Sequence, residues 1–90
     1  MVPPQEKSER SSELLPVQLD MALAALQWSK RDLMANTGIS LDTIARFKRG
    51  ERLKASTIGT MQYALEAAGV ILIPPDEQGG PGVRLRKADA

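Results

Sequence analysis

Apolar side chains are nearly missing from the first thirteen residues, MVPPQEKSERSSE, and the hydrophobic pattern starts at Leu14. Such a composition predicts a disordered arm over 1–13. After Pro16, Leu19, Leu23 and Leu26 recur at helical spacing with Ala22 and Ala25 between them, predicting a helix over roughly 17–27. Proline suits that start because the N–H it lacks would have no partner in the first turn. Ser29, with Asp32 three residues on, reads as a capping box written with Asp, opening a short helix over 30–36 that stops at Thr37-Gly38. Ile39 alone separates Gly38 from a second N-cap, Ser40. The helix that follows, Leu41–Lys48, is ended by Gly50. Ser56 is expected to cap a fourth helix, about 57–68, with Ile58, Met61, Leu65 and Ala68 at three- to four-residue spacing and Gly69 closing it.

Beyond Gly69 the period shortens. Val70-Ile71-Leu72-Ile73 is a β-branched run stopped by Pro74-Pro75, and Val83-Arg84-Leu85-Arg86 alternates apolar with basic. The Gly- and Pro-rich stretch between them makes the pair read as a β-hairpin. A lone hairpin is marginally stable, so this one is expected to pack on the helices or to pair with a second copy. The fold expected is mainly α: a helix-turn-helix bundle of four helices over 14–69, a C-terminal β-hairpin over 70–87 as the dimerisation element, and a tail over 88–90.

Composition narrows the chemistry. The 90 residues include no cysteine and no histidine, which leaves carboxylates, lysines and Tyr63 for any reaction. Disulfides, thiolate or imidazole catalysis and the usual transition-metal sites are thereby excluded, and neither an enzyme nor a metal or other cofactor is expected. The N-terminus lacks the apolar core of a signal peptide and no apolar run approaches a membrane span, so a cytoplasmic protein without membrane contact is expected. One domain of this size buries a modest fraction of its surface, to which a dimer interface would add.

The net charge of +1 conceals an asymmetry. Between Lys30 and Lys54 lie seven basic residues (Lys30, Arg31, Arg46, Lys48, Arg49, Arg52, Lys54) and three acidic ones (Asp32, Asp42, Glu51), a local excess of +4. A basic centre on a near-neutral chain suits an anion-binding face, with DNA the commonest partner, although charge runs are often solvated surface. The same stretch, SKRDLMANTGISLDTIARFKRG, places Leu33 and Met34 on one short helix and Ile44 and Phe47 on the next, with Ile39 at the turn between them. That spacing lets the two helices cross steeply and leaves the outer side of the second free to enter a major groove.

Trp28-Ser29-Lys30, Asp32-Leu33, Gly38-Ile39-Ser40, Thr43-Ile44-Ala45-Arg46 and Arg49-Gly50-Glu51 resemble the Cro/phage-repressor type of helix-turn-helix, the lambda-repressor-like, xenobiotic-response-element family of regulators. The likeness spans about residues 17–73, including the helix ending Ala64-Leu65-Glu66-Ala67-Ala68-Gly69-Val70. The resemblance implies a homodimeric transcriptional regulator, a repressor in the first instance, that binds an inverted repeat in double-stranded DNA. It further implies that Leu41, Asp42, Thr43 and Arg46 meet base edges in the major groove. Arg46 suits guanine, Asp42 the cytosine N4 amino group and Leu41 a thymine methyl. Lys30, Ser40, Lys48, Arg49, Arg52 and Lys54 are implied as phosphate contacts. Two residues depart from the family pattern: Met34 stands where alanine is usual, either opening the helix pair or filling a gap, and Lys30 replaces glutamine.

Competing readings attach to several residues. Trp28 and Phe47 are expected in the core. Asp76-Glu77 and Gly79-Gly80-Pro81-Gly82 read as loop residues and a hairpin turn, since the glycines lack the helix and Lys-Ser/Thr of a phosphate loop. Arg84, Arg86 and Lys87 either extend the basic face or protect a strand edge. Asp42 repels phosphate unless it reads a base or restrains Arg46 through i,i+4 pairing. The alternative function is an antitoxin or antiactivator of the same fold, a protein-binding module whose hairpin or N-terminal arm holds a protein partner.

Overall fold

The computed structural model describes residues 13–87, so all but the last residue of the arm expected over 1–13, and the tail over 88–90, lie outside the described residues. Four helices, α1 (Pro16–Leu26), α2 (Lys30–Thr37), α3 (Leu41–Lys48) and α4 (Ala55–Ala67), precede an antiparallel pair, β1 (Val70–Ile73) and β2 (Gly82–Leu85). The mainly α fold with a C-terminal hairpin is as the pattern predicts. The core draws on all four helices, on β1 and on Leu14 just before α1: Leu14, Leu19, Ala22, Leu23, Leu33, Ile44, Phe47, Met61, Leu65 and Val70 are buried together. Trp28 and Ile39 pack against that cluster, as expected. Met34 does so too, while Leu33 and Ile44 at the helix junction stay fully buried.

The boundaries follow from capping. At α2, Ser29 Oγ accepts the Asp32 N–H (3.1 Å) and Asp32 Oδ2 accepts the Ser29 N–H (2.8 Å), the reciprocal box read in the sequence. At its other end the Thr37 hydroxyl donates to the Leu33 carbonyl and accepts the Ile39 N–H, while Gly38 turns at φ +77° and donates to the Met34 carbonyl. Ser40 Oγ then accepts the Thr43 N–H (3.1 Å) to open α3.

Two boundaries need correction. Helix α4 starts at Ala55, not after Ser56: the Lys54 carbonyl accepts the Thr57 and Ile58 N–H groups, and Ser56 sits within the first turn, its carbonyl taking the Thr60 hydroxyl. With Leu53 anchored against the core, the chain enters the helix two residues before the serine that capping preference selects. Strand β2 runs Gly82–Leu85 instead of 83–86, with Val70 opposite Leu85 and Ile73 opposite Gly82. Arg86 lies just past the ladder, its N–H bonded to the Gly69 carbonyl and its Nη2 to the Glu66 carbonyl near the C-terminal end of α4. A cation is favourable there, so Arg86 ties the hairpin to the helix.

The hairpin is held to α1 by a residue that hydrophobic patterning passes over. Gln18 is buried, its Nε2 donating to the Ile73 and Gly82 carbonyls (3.0 Å each) and its Oε1 accepting the Leu15 N–H (2.9 Å). One amide thus joins the start of the first helix to the last rung of the ladder. With Val70 in the core and Leu72 and Val83 against it, the hairpin packs on the helices of its own chain.

Candidate nucleic-acid interface

Helix α3 is oriented by its two buried side chains. Ile44 and Phe47 point into the core, and steps of about 100° per residue put Asp42, Ala45, Arg46 and, just beyond the helix, Arg49 on the opposite side. Leu41 and Lys48 flank this face on one edge and Thr43 on the other. Leu41 and Thr43 are half-buried, and the Thr43 hydroxyl accepts a hydrogen bond from Ser40 Oγ (3.0 Å). Of the four residues assigned to base edges, Asp42 and Arg46 stand on the outer face and Leu41 and Thr43 on its margins. Ala45 lies between Asp42 and Arg49 and was not among the expected contacts. Its lack of bulk lets a surface approach the helix backbone.

The outer face carries its own counter-charges. Arg46 Nε donates to Glu51 Oε1 at 3.0 Å, and its Nη1 lies 3.8 Å from Asp42 Oδ2. Arg49 Nη2 donates to the other carboxylate oxygen of Glu51 at 2.9 Å. The i,i+4 restraint anticipated from Asp42 is therefore present but is the weaker of two. These hydrogen bonds, from Arg49 first and Arg46 second, hold the Glu51 carboxyl below its ordinary value of 4.5. The favourable charge state exists at neutral pH and is lost only as pH falls through that lowered pKa.

Glu51 was counted among the acids of the basic centre and in the Arg49-Gly50-Glu51 motif but given no role, although a signal for one exists. Gly50 turns at φ +93° and donates to the Phe47 carbonyl, and the Glu51 N–H donates to the Arg46 carbonyl, a Schellman closure of α3. In that motif the residue after the glycine folds back over the residue five before it, usually as an apolar contact. Here the two positions are Glu51 and Arg46, and an ion pair takes the place of the apolar contact.

Lys48 was expected to meet phosphate. As the last residue of α3 it is half-buried on the flank facing α1, and its Nζ is 2.9 Å from Asp20 Oδ1. Within the basic centre the cations without an ion-pair partner among the described residues are Lys30, Arg31, Arg52 and Lys54, all exposed; Arg84, Arg86 and Lys87 of the hairpin, also exposed, have none either. Lys30 and Arg31 begin α2, while Arg52 and Lys54 lie in the α3–α4 connection. Arg31 was counted in the basic excess but given no role. The basic centre is thus sorted into a charge-balanced outer face of α3 and unpaired cations on the neighbouring segments.

Compared with protein-family models and with curated proteins, the chain has no match. Among the described residues no helix is long and apolar enough to cross a membrane.

Proposed function

We propose that this chain is a non-enzymatic, sequence-specific DNA-binding regulator of the Cro/phage-repressor type, acting in the cytoplasm as a homodimeric repressor. The observation that carries this reading is α3: two buried residues fix it against the core, and its opposite side presents Asp42, Ala45 and Arg46. Two such helices would enter successive major grooves of an inverted repeat, with half-site centres about 34–36 Å apart. Arg46 then reads guanine through its Nη atoms, and Asp42 accepts from cytosine N4. Lys30, Arg52 and Lys54 contact phosphates, joined by Arg31. These contacts fix register without reading sequence.

The test is selection of bound sequences from random duplex DNA, followed by affinities for the winner. An inverted repeat bound far more tightly than random duplex is the expected outcome. On that site Arg46→Ala should lose about 1–3 kcal/mol of discrimination at one base pair, while Arg52→Ala weakens all sequences alike. Enrichment of no sequence would refute the reading.

A further inference from the structure

Within the DNA-binding reading, on which this inference rests, we propose that Glu51 is a specificity-determining positioning residue. It aims Arg46 and removes the free charge that would let the recognition face hold any DNA. The geometry does both through one carboxylate. Oε1 takes the Arg46 Nε and Oε2 takes Arg49 Nη2, at 3.0 and 2.9 Å. With Nε engaged, Arg46 can address a base only end-on, through its two Nη groups. A guanidinium presented in a single orientation discriminates better than one free to find whatever acceptor is near, because a fixed fork suits one arrangement of acceptors.

The charge count points the same way. Arg46 and Arg49 are matched on this face by Asp42 and Glu51, so the part of the protein that reads bases adds no net charge to attract phosphate. Non-specific affinity, which arises almost wholly from neutralised phosphates, is left to the unpaired cations off this face, Lys30, Arg31, Arg52 and Lys54 nearest to it. The backbone closure of α3 keeps the clamp in register, since the Glu51 N–H is bonded to the carbonyl of the same Arg46 that its side chain holds.

The experiment compares wild type with Glu51→Gln and Glu51→Ala, measuring affinity for the selected operator and for random duplex between 50 and 200 mM salt. Glu77→Gln makes the same change in net charge on an exposed loop residue and serves as the control. For both Glu51 variants the expected result is tighter binding to random duplex at low salt and a smaller operator-to-random ratio. The salt dependence should also steepen, because each arginine released to a phosphate enlarges the affinity loss across this salt range about 3.5-fold. A residue that only stapled the turn would leave that slope unmoved, so the slope separates positioning from structure. If operator-specific wild type is matched by both Glu51 variants in ratio and slope, or if Glu77→Gln shifts them equally, the clamp is refuted alone. A wild type with no sequence preference overturns the clamp together with the DNA reading.

Discussion

Two halves of this small molecule are built by different means. The helix pair α2–α3 is specified almost entirely by bonds between residues two to five apart: the Ser29–Asp32 box, the Thr37 hydroxyl, Gly38, Ser40 and the Gly50 closure. The frame around it is joined over long separations. Gln18 reaches Ile73 and Gly82, the Leu14 N–H donates to Gln62 Oε1, and Lys48 meets Asp20. The pair that carries the proposed recognition helix can thus take much of its local geometry from its own sequence. Its orientation relative to the rest depends on a few distant contacts and on the shared core.

The largest effect should come from the frame. Gln18→Glu would replace the amide that donates to two carbonyls with a carboxylate that can donate to neither, leaving a buried, unpaired charge among acceptors. Such a change costs about 3–5 kcal/mol, a large share of the stability of any small domain. Urea denaturation at neutral pH measures it. The loss should shrink in acid. Burial raises the pKa of the introduced acid in the folded state, so its destabilisation is present above that pKa and fades as pH falls and a donor O–H returns. If Gln18→Glu is as stable as wild type at neutral pH, the long-range clamp does not hold the hairpin. The same clamp, with Val70 in the core, means that removing residues after Gly69 unfolds the frame. Dimerisation is therefore better tested by substituting the exposed Ile71 or Leu85.

What could be read from the sequence divides along the same line. The α2–α3 pair was legible nearly to the residue because each cap is a short-range code, with Ser or Gly standing where the backbone requires it. The α4 start was misplaced since Leu53, held by the core, outweighs the local preference for Ser56. Gln18 was invisible because its partners are the backbone of residues 55 and 64 positions away, and no side-chain pattern announces a backbone acceptor. The site shows the same division. The outward position of Asp42 and Arg46 follows from helical periodicity, their expected role came from the family resemblance, and Glu51 was available from the Schellman rule had it been applied to a charged pair. The ion pair of Lys48 could not be foreseen because its partner, Asp20, belongs to another helix.

An intermediate effect is expected in the locally coded half. Gly38 turns at φ +77° with nothing within 4 Å of where a Cβ would stand. Gly38→Ala therefore tests backbone conformation without crowding: left-handed strain of about 1–2 kcal/mol, offset in part by about 0.5–1 kcal/mol of unfolded-chain freedom that alanine removes, should leave a net loss of about 1 kcal/mol. The measurement is again the urea midpoint. A loss well beyond that would mean the turn is sensitive to something other than φ.

The smallest effect, and the one of opposite sign, lies where the frame meets the helix pair. Helix α1 ends in the same closure as α3: the Trp28 N–H donates to the Leu23 carbonyl at 2.9 Å and the Gln27 N–H to the Ala24 carbonyl at 3.2 Å. The residue that must turn left-handed is Gln27, at φ 60°, the one described non-glycine residue with positive φ. The core supplies the reason the strain is tolerated, since Trp28 packs against it directly after the turn. Relief of the left-handed strain is worth about 1–2 kcal/mol, against about 0.5–1 kcal/mol for the extra freedom glycine brings to the unfolded chain. Gln27→Gly should therefore stabilise the protein by about 0.5–1 kcal/mol, seen as a higher urea midpoint at unchanged slope. A loss of stability would show that the exposed Gln27 side chain contributes contacts that outweigh its backbone strain, and would move this junction into the half governed by long-range packing.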